Sequence, residues 1–344
     1  MRPPRFFASS RSSVIHAHLI SRALDRNMIF DAAAKEKFRE ILARQCAFSQ
    51  IELVTFCLMG NHFHLLVRLD TAEPNPLQDA PDQALLDHLE LIYRADEVQK
   101  VAWQLESFRS GGFAEAAAKL RQKYLDRMRN IPCFMQELKQ RFSHWHNRRV
   151  RRKGTVWEDR YKSVLVEDSD TAVRTMAAYI DLNPVRAGIV DDPKDYRWSG
   201  YGEAVAGSGS ARAGLTRLVR TEVGEDPAGG AATNWARIQA IYRCWLYEEG
   251  AAVLDEHGKV IKRGFAPDTA DAVINRQQGQ LARRVLVRAR LRHFTEGVAI
   301  GSREFIEELF QARRTAFSPR RVDGSRKMKG VRWGGLRSMR DLRG

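Results

Sequence analysis

His62-Phe63-His64 places two imidazoles two residues apart. On a β-strand, residues i and i+2 share a face, so both rings can meet one divalent metal while Phe63 turns into a core. The competing reading is a half-buried pair of sheet histidines. The same triplet pattern recurs at His16-Ala17-His18 and His144-Trp145-His146. His16 and His18 can also share a strand face and stand as a rival pair. His144 and His146 fall on an expected helix, where i and i+2 diverge. Tyr179 and Asn183 are four residues apart. On a helix they sit one turn from each other, on a stripe continued by Ala172 and Met176. The plain alternative makes Tyr179 a core aromatic and Asn183 a C-terminal cap before Pro184. A third group is the basic run Arg148, Arg149, Arg151, Arg152 and Lys153, near Trp145, Trp157, Arg160, Tyr161 and Lys162. Cations pair with phosphates and aromatic rings stack on unpaired bases. The alternative there is a solvated loop.

Together these groups make one chemistry. Two histidines and an Asn amide oxygen form a mixed nitrogen and oxygen set for Mg²⁺ or Mn²⁺, with imidazole leaning it towards Mn²⁺. Such a cation polarises and orients a phosphodiester. A tyrosine hydroxyl one turn from the Asn can attack phosphorus. A tyrosine phosphodiester conserves the bond energy, so strands can be rejoined without a nucleotide. The chain has no Walker motif, no dinucleotide-binding glycine fingerprint and no GxSxG.

The elements that must position these residues are readable in outline. Val14 to Ile20 reads as a strand. Asp31 can cap a helix running to about Gln45, with Phe38, Ile41 and Leu42 at helical spacing. Ile51 to Met59 and His62 to Arg68 read as two strands. Gly60-Asn61 between them suits a type II′ hairpin turn. Residues about 77–147 read as mainly helical, interrupted by Pro132. Phe134, Leu138, Phe142 and Trp145 form a stripe on the last of these helices. Val156 to Glu167 contains another strand. Ser169 or Asp170 can cap a helix that Pro184 ends at Asn183. Helices are expected at about 234–248, 269–293 and 302–314. The succession strand, helix, hairpin, helix, strand, helix predicts an α+β fold. Its sheet would be ferredoxin-like and antiparallel with helices on one face, followed by a mainly helical C-terminal extension. The expected division is a domain over 1–205, a Gly/Ser/Ala-rich linker over 206–233, a helical region over 234–314 and a basic tail over 315–344.

Charge bounds the partners. The 344 residues carry 57 Lys and Arg against 42 Asp and Glu, a formal charge of +15. That surplus favours a polyanion, and 44% hydrophobic content leaves enough apolar material for a core. No run of apolar residues is long enough to span a bilayer. Met1-Arg2-Pro3-Pro4-Arg5 has no apolar segment after it, unlike a signal peptide. Four cysteines without a CxxC pair argue against disulfide scaffolds and zinc ribbons. A cytoplasmic protein is expected.

Three ordered blocks carry a resemblance. Phe56-Cys57-Leu58-Met59-Gly60-Asn61-His62-Phe63-His64-Leu65-Leu66-Val67 is similar to the His-hydrophobic-His signature of single-tyrosine (HUH) transposases. The second block runs from Gly154 to Glu167 and includes Trp157, Arg160, Tyr161 and Lys162. The third is Tyr179-Ile180-Asp181-Leu182-Asn183-Pro184-Val185-Arg186-Ala187-Gly188-Ile189-Val190, followed by Tyr196-Arg197-Trp198-Ser199-Gly200-Tyr201. Ser21-Arg22 and Ile29-Phe30-Asp31 add to it. The whole resembles the REP-associated tyrosine transposases over roughly 1–205. It departs at Gly60, where that family commonly has Pro, and in the longer helical stretch at about 72–130.

The resemblance implies a ferredoxin-like nuclease that binds hairpin-bearing single-stranded DNA. By residue, it implies His62 and His64 as metal ligands, Asn183 as a third ligand and Tyr179 as nucleophile. The implied product is a 5′-phosphotyrosine with a free 3′-hydroxyl that can rejoin strands. Arg22, Arg148, Arg149, Arg151, Arg152, Lys153, Arg160 and Lys162 are the expected DNA contacts. Both monomers and homodimers with shared sites fit. Two other classes remain: a domesticated nucleic-acid-binding protein without strand transfer, and a zinc protein built on His62 and His64. Helices at about 269–293 and 302–314 would suit either a helix-turn-helix-like DNA reader or a packing extension.

Overall fold

Val14–Arg22 (β1) is buried along almost its whole length, as a central strand must be. Its odd positions Ile15, Ala17 and Leu19 enter one core and its even positions carry His16, His18 and Ile20 to the other face. The computed structural model describes residues 12–223, 231–250, 253–254, 260–262, 293–328 and 335–340. Ala32–Ser49 (α1) follows, capped as expected by Asp31, whose carboxylate accepts from Ala34 N at 2.8 Å. Glu52–Leu58 (β2) and His62–Asp70 (β3) form the expected antiparallel hairpin. The turn type differs from expectation. Gly60 is not among the positive-φ residues, so the turn is not type II′. A Cβ at Gly60 would meet only the end of the flexible, exposed Met28 side chain, which can move aside, so this position does not demand glycine.

Asp82–Leu89 (α2), Ala95–Ser110 (α3) and Ala114–Leu125 (α4) build a separate apolar cluster around Leu85, Leu89, Val101 and Leu125, joined to α1 through Phe48. This is the long helical stretch seen in the sequence. Ile131–Arg149 (α5) starts with Pro132 in its first turn, where a missing N–H costs nothing, so the proline opens a helix instead of interrupting one. Lys162–Val166 (β4) returns to the sheet beside β1.

The first four strands lie in the order β2-β3-β1-β4, all antiparallel neighbours. With α1 and α5 they give the β-α-β-β-α-β succession of a ferredoxin-like core. Phe38 and Leu42 of α1 meet Phe134, Leu138 and Phe142 of α5 over Leu19, Phe63 and Leu65. The protein is α+β. Its helices, however, cover both faces of the sheet, where one covered face was expected. Asp170–Asp181 (α6), Gly200–Val205 (α8), Gly209–Val223 (α9) and Ala231–Gly250 (α10) pack on the opposite face over Val54, Cys57, Leu66 and Val164. Asn183–Arg186 (α7) is a separate turn: α6 ends at Asp181, and Pro184 begins this next piece where it was expected to end the helix.

The regions after residue 205 also depart from expectation. The linker expected at 206–233 contains α9, held by Leu215, Leu218 and Val219. Val253–Leu254 (β5) and Val260–Lys262 (β6) pair with each other. The helix expected at 269–293 lies outside the described residues, apart from His293, where His293–Glu296 (α11) begins. Gly297–Gly301 (β7) then pairs in parallel with β4, so the sheet is not purely antiparallel. Arg303–Ala312 (α12) buries Phe305, Ile306, Leu309 and Phe310 in the first core, the packing alternative for that helix. Arg326–Lys327 (β8) and Arg337–Arg340 (β9) lie in the expected basic tail, yet they complete a sheet of order β2-β3-β1-β4-β7-β9-β8.

Candidate active site

The even positions of β1 and β3 project towards α6. His62 and His64 share that face, with ring centroids 5.0 Å apart. His62 is half-buried at the strand's start, and its Nδ1 lies 2.6 Å from Asn61 Oδ1. The Asn61 amide is oriented by its own donation to Arg26 O at 3.1 Å. Its oxygen therefore accepts, and a neutral His62 ring keeps its lone pair on Nε2. His64 is buried. Burial holds its pKa well below the usual imidazole range, helped by the nearby charges or dipoles of His62, His18, Arg22 and Arg186. A neutral imidazole is the form that binds metal.

The rival pair His16/His18 splits. His16 lies 3.3 Å from Asp168 at the far end of β1. His18 instead reaches diagonally across the β1/β3 ladder, because Ile20 opposes His64 and His18 opposes Leu66. Its Nε2 is 2.9 Å from His64 Nδ1 and its Nδ1 is 2.9 Å from Phe294 O. Burial lowers the His18 pKa to about 3. His146 is buried against Phe142 in the first core, away from this face.

Tyr179 comes from the last turn of α6 and is buried. Its ring stands edge-on to His18 at 5.9 Å and to His64 at 6.0 Å between centroids. Phe294 stacks on it at 4.4 Å, and the Arg186 guanidinium lies 4.7 Å from its centroid. Arg186 also donates to Tyr179 O at 2.6 Å. Asn183 donates through Nδ2 to Tyr179 O at 3.0 Å and Ile180 O at 3.2 Å. Asn183 thus caps α6, as its plain reading had it. With the amide nitrogen so committed, Oδ1 is the atom left for a cation. His62, His64 and Asn183 offer two imidazole nitrogens and an amide oxygen, donor types that could hold Mn²⁺ or Mg²⁺. Among the described residues, no group of three or more His, Cys, Asp or Glu side chains is placed to hold a metal ion.

Asp181, between Tyr179 and Asn183, points to a different task. It accepts from Thr55 Oγ1 at 3.0 Å, Tyr201 N at 3.2 Å and Tyr242 OH at 2.6 Å. Burial raises its pKa to about 7 against the pull of those hydrogen bonds. Sequence reasoning missed this residue, as it missed Arg186 and Phe294. Arg186 stands seven residues after Tyr179, a two-turn spacing that offered a signal. Nothing in the spacing marked Phe294.

The expected DNA contacts fall into two sets. Arg22 ends β1 opposite His62, beside the histidine site. Arg148, Arg151 and Lys153 are exposed at the end of α5 and in the loop beyond, and Arg160 and Lys162 are exposed near the start of β4. Arg152 donates to Thr155 O at 2.9 Å. Arg149 holds Asp31 through two bonds of 2.9 and 2.7 Å, so it ties α5 to the start of α1. Trp157 is buried and donates to Ser143 Oγ at 2.8 Å, which removes it from base stacking. Tyr161 belongs to the first core, across the sheet from Tyr179.

The fold and this face define a class: an α+β protein whose central strands present paired histidines under a helix-borne tyrosine. Residues 11–75, which span β1, α1, β2 and β3, match the family model described as transposase IS200 like. The matched segment carries His18, His62 and His64, and the similarity is the one the His-hydrophobic-His block suggested. No curated protein matches the chain. A solved structure similar to it is that of a REP-associated tyrosine transposase bound to a REP hairpin, 12% identical, covering 68% of this chain and 96% of that chain, with a TM-score of 0.38. No helix among the described residues is long and apolar enough to cross a membrane.

Proposed function

We propose that the protein is a transposase that cleaves and rejoins hairpin-bearing single-stranded DNA through Tyr179. The observation that carries this reading is the packing of the Tyr179 ring against His18 and His64 on one sheet face, within 6.0 Å between centroids. The match of residues 11–75 to an IS200-like transposase supports the reaction class.

In this reading the Tyr179 hydroxyl attacks a backbone phosphorus. A bond forms between its oxygen and phosphorus, and the bond from phosphorus to the 3′-oxygen breaks. Tyr179 loses its hydroxyl proton as it attacks, and one proton is returned to the leaving oxygen, which becomes a 3′-hydroxyl while the 5′ side stays on the tyrosine. The reverse attack by a 3′-hydroxyl rejoins strands. His62, His64 and Asn183 would hold Mg²⁺ or Mn²⁺, which would polarise the phosphodiester. Arg186 fixes the Tyr179 main chain and lies over its ring, which restricts the nucleophile's position. Arg22 supplies positive charge at the same face for a phosphate. Arg148, Arg151, Arg152, Lys153, Arg160 and Lys162 provide the backbone-binding surface, with Arg149 supporting it.

The test uses labelled hairpin oligonucleotides from the DNA flanking the gene, with Mg²⁺ or Mn²⁺. A covalent protein–DNA adduct should appear on a denaturing gel and vanish in Tyr179→Phe. An adduct that survives the substitution would remove Tyr179 from the role. Binding without any adduct across metals and sequences would favour a nucleic-acid-binding protein that keeps the fold without strand transfer.

A further inference from the structure

We propose that His18, anchored on the main-chain carbonyl of Phe294, is a positioning residue that fixes the tautomer of His64 and so presents the His64 lone pair on Nε2.

Protons can be counted along this hydrogen-bonded chain. A carbonyl oxygen only accepts, so His18 Nδ1, 2.9 Å from Phe294 O, carries a proton. His18 has 0% exposure, and its two ring nitrogens meet a carbonyl and another imidazole. Neither partner is a carboxylate that could balance a charge, so the ring is neutral. A neutral ring protonated on Nδ1 has a bare Nε2, and that atom accepts. The group offered to it is His64 Nδ1 at 2.9 Å, which must therefore donate. His64 is itself buried and neutral, so its single proton is spent on Nδ1. Its lone pair is left on Nε2.

His62 reaches the same state by a different route, through the oriented Asn61 oxygen. Two independent devices thus set both rings of the pair to one tautomer. A donor N–H engaged by an acceptor also fixes ring orientation and raises the basicity of the ligating nitrogen. The anchor comes from far along the chain: Phe294 lies in α11, beyond β6, and its ring is the one stacked on Tyr179. The same short segment therefore supports the histidine side of the site with its main chain and the tyrosine side with its side chain. This gives the C-terminal region a specific task.

The consequence for metal binding rests on the function proposed above, but the tautomer does not. The test is run on the full chain with ¹⁵N-labelled histidine and two readouts. Without metal, two-bond ¹H–¹⁵N correlations should show His18 and His64 as Nδ1–H tautomers. In His18→Leu, His64 should lose that pattern, and Mn²⁺ affinity by calorimetry should fall about 10–100-fold. His18→Gln can accept from His64 with its oxygen and donate to Phe294 O with its nitrogen, so it should stay within a few-fold of the parent. A His64 ring protonated on Nε2 in the parent protein would overturn the proposal, and that measurement needs no variant to fold. So would a folded His18→Leu with unchanged His64 tautomer and unchanged Mn²⁺ affinity. Nδ1–H tautomers in a protein that binds no Mn²⁺ would leave the assignment standing and overturn the metal-site reading instead.

Discussion

Asp181 shows how one buried residue can tie three elements beneath a site. Its carboxylate collects a hydroxyl from β2, a main-chain N–H from α8 and a phenol from α10, all in a region closed to water. Asp181→Ala would strip the acceptor from all three donors at once. Each buried donor left unpaired costs free energy that water cannot return. We expect a loss of about 2–4 kcal/mol in urea unfolding. Asp181→Asn, which keeps one acceptor oxygen, should lose less. If Asp181→Ala unfolds at the parent midpoint, the three donors have found other partners. Sequence reveals such residues unevenly. Asp31 is legible as a cap because capping is a local matter of one side chain and the next few N–H groups. The face shared by His62 and His64 is legible because strand alternation is local too. The bond from His18 to His64 is not, since it depends on which residues of β1 and β3 stand opposite each other. Asp181 is hidden for the same reason: its partners come from positions 55, 201 and 242.

The path of β2 explains why Thr55 can serve Asp181 at all. The β2/β3 register shifts between Leu53 and Thr55, a bulge that leaves Val54 as the extra residue. Val54 and Thr55 then both serve the α6 side, while Leu53 and Phe56 serve the first core. The bulge also turns main-chain oxygens outward to meet α9. A Cβ at Gly214 of α9 would overlap the carbonyl oxygens of Val54 and Leu53. Backbone cannot move aside as a flexible side chain can, so Gly214→Ala should push α9 off the strand. The expected cost is about 1–3 kcal/mol, read as a lowered melting temperature. An unchanged melting temperature would mean that α9 does not sit this close. A Gly, Ser and Ala-rich stretch reads as linker because composition reports flexibility and not packing. The helix forms because Leu215, Leu218 and Val219 have a second core to enter. The strands β8 and β9 were similarly out of reach, being short, rich in Arg and defined by neighbours far away in the chain.

Across the whole molecule, the net charge of +15 has a sharper meaning once the exposed cations are placed. Some are spent internally: Arg149 on Asp31, and Arg243 on Asp192 through buried bonds of 2.9 and 2.7 Å. These hold α5 to α1 and α10 to the segment after α7, and they add little to an outward field. Arg148, Arg151, Lys153, Arg160 and Lys162 remain exposed around the end of α5 and the start of β4. If this surface binds single-stranded DNA, each phosphate it neutralises releases counterions and sets the salt dependence of affinity. Replacing Arg148, Arg151 and Lys153 together by Ala should reduce the slope of log affinity against log salt by about 0.7 for each phosphate no longer neutralised. The adduct at saturating DNA should persist, because Tyr179 and the histidines lie on the opposite face of the sheet from the core that receives α5. Replacing Arg149 should act differently. It should loosen the start of α1 and lower stability as well as affinity, since its partner Asp31 caps that helix. A triple variant with an unchanged slope would assign the basic loop to solvent and move the DNA path to Arg22 and the histidine face. Such a shift would leave the chemistry of the site intact while redrawing how its substrate arrives.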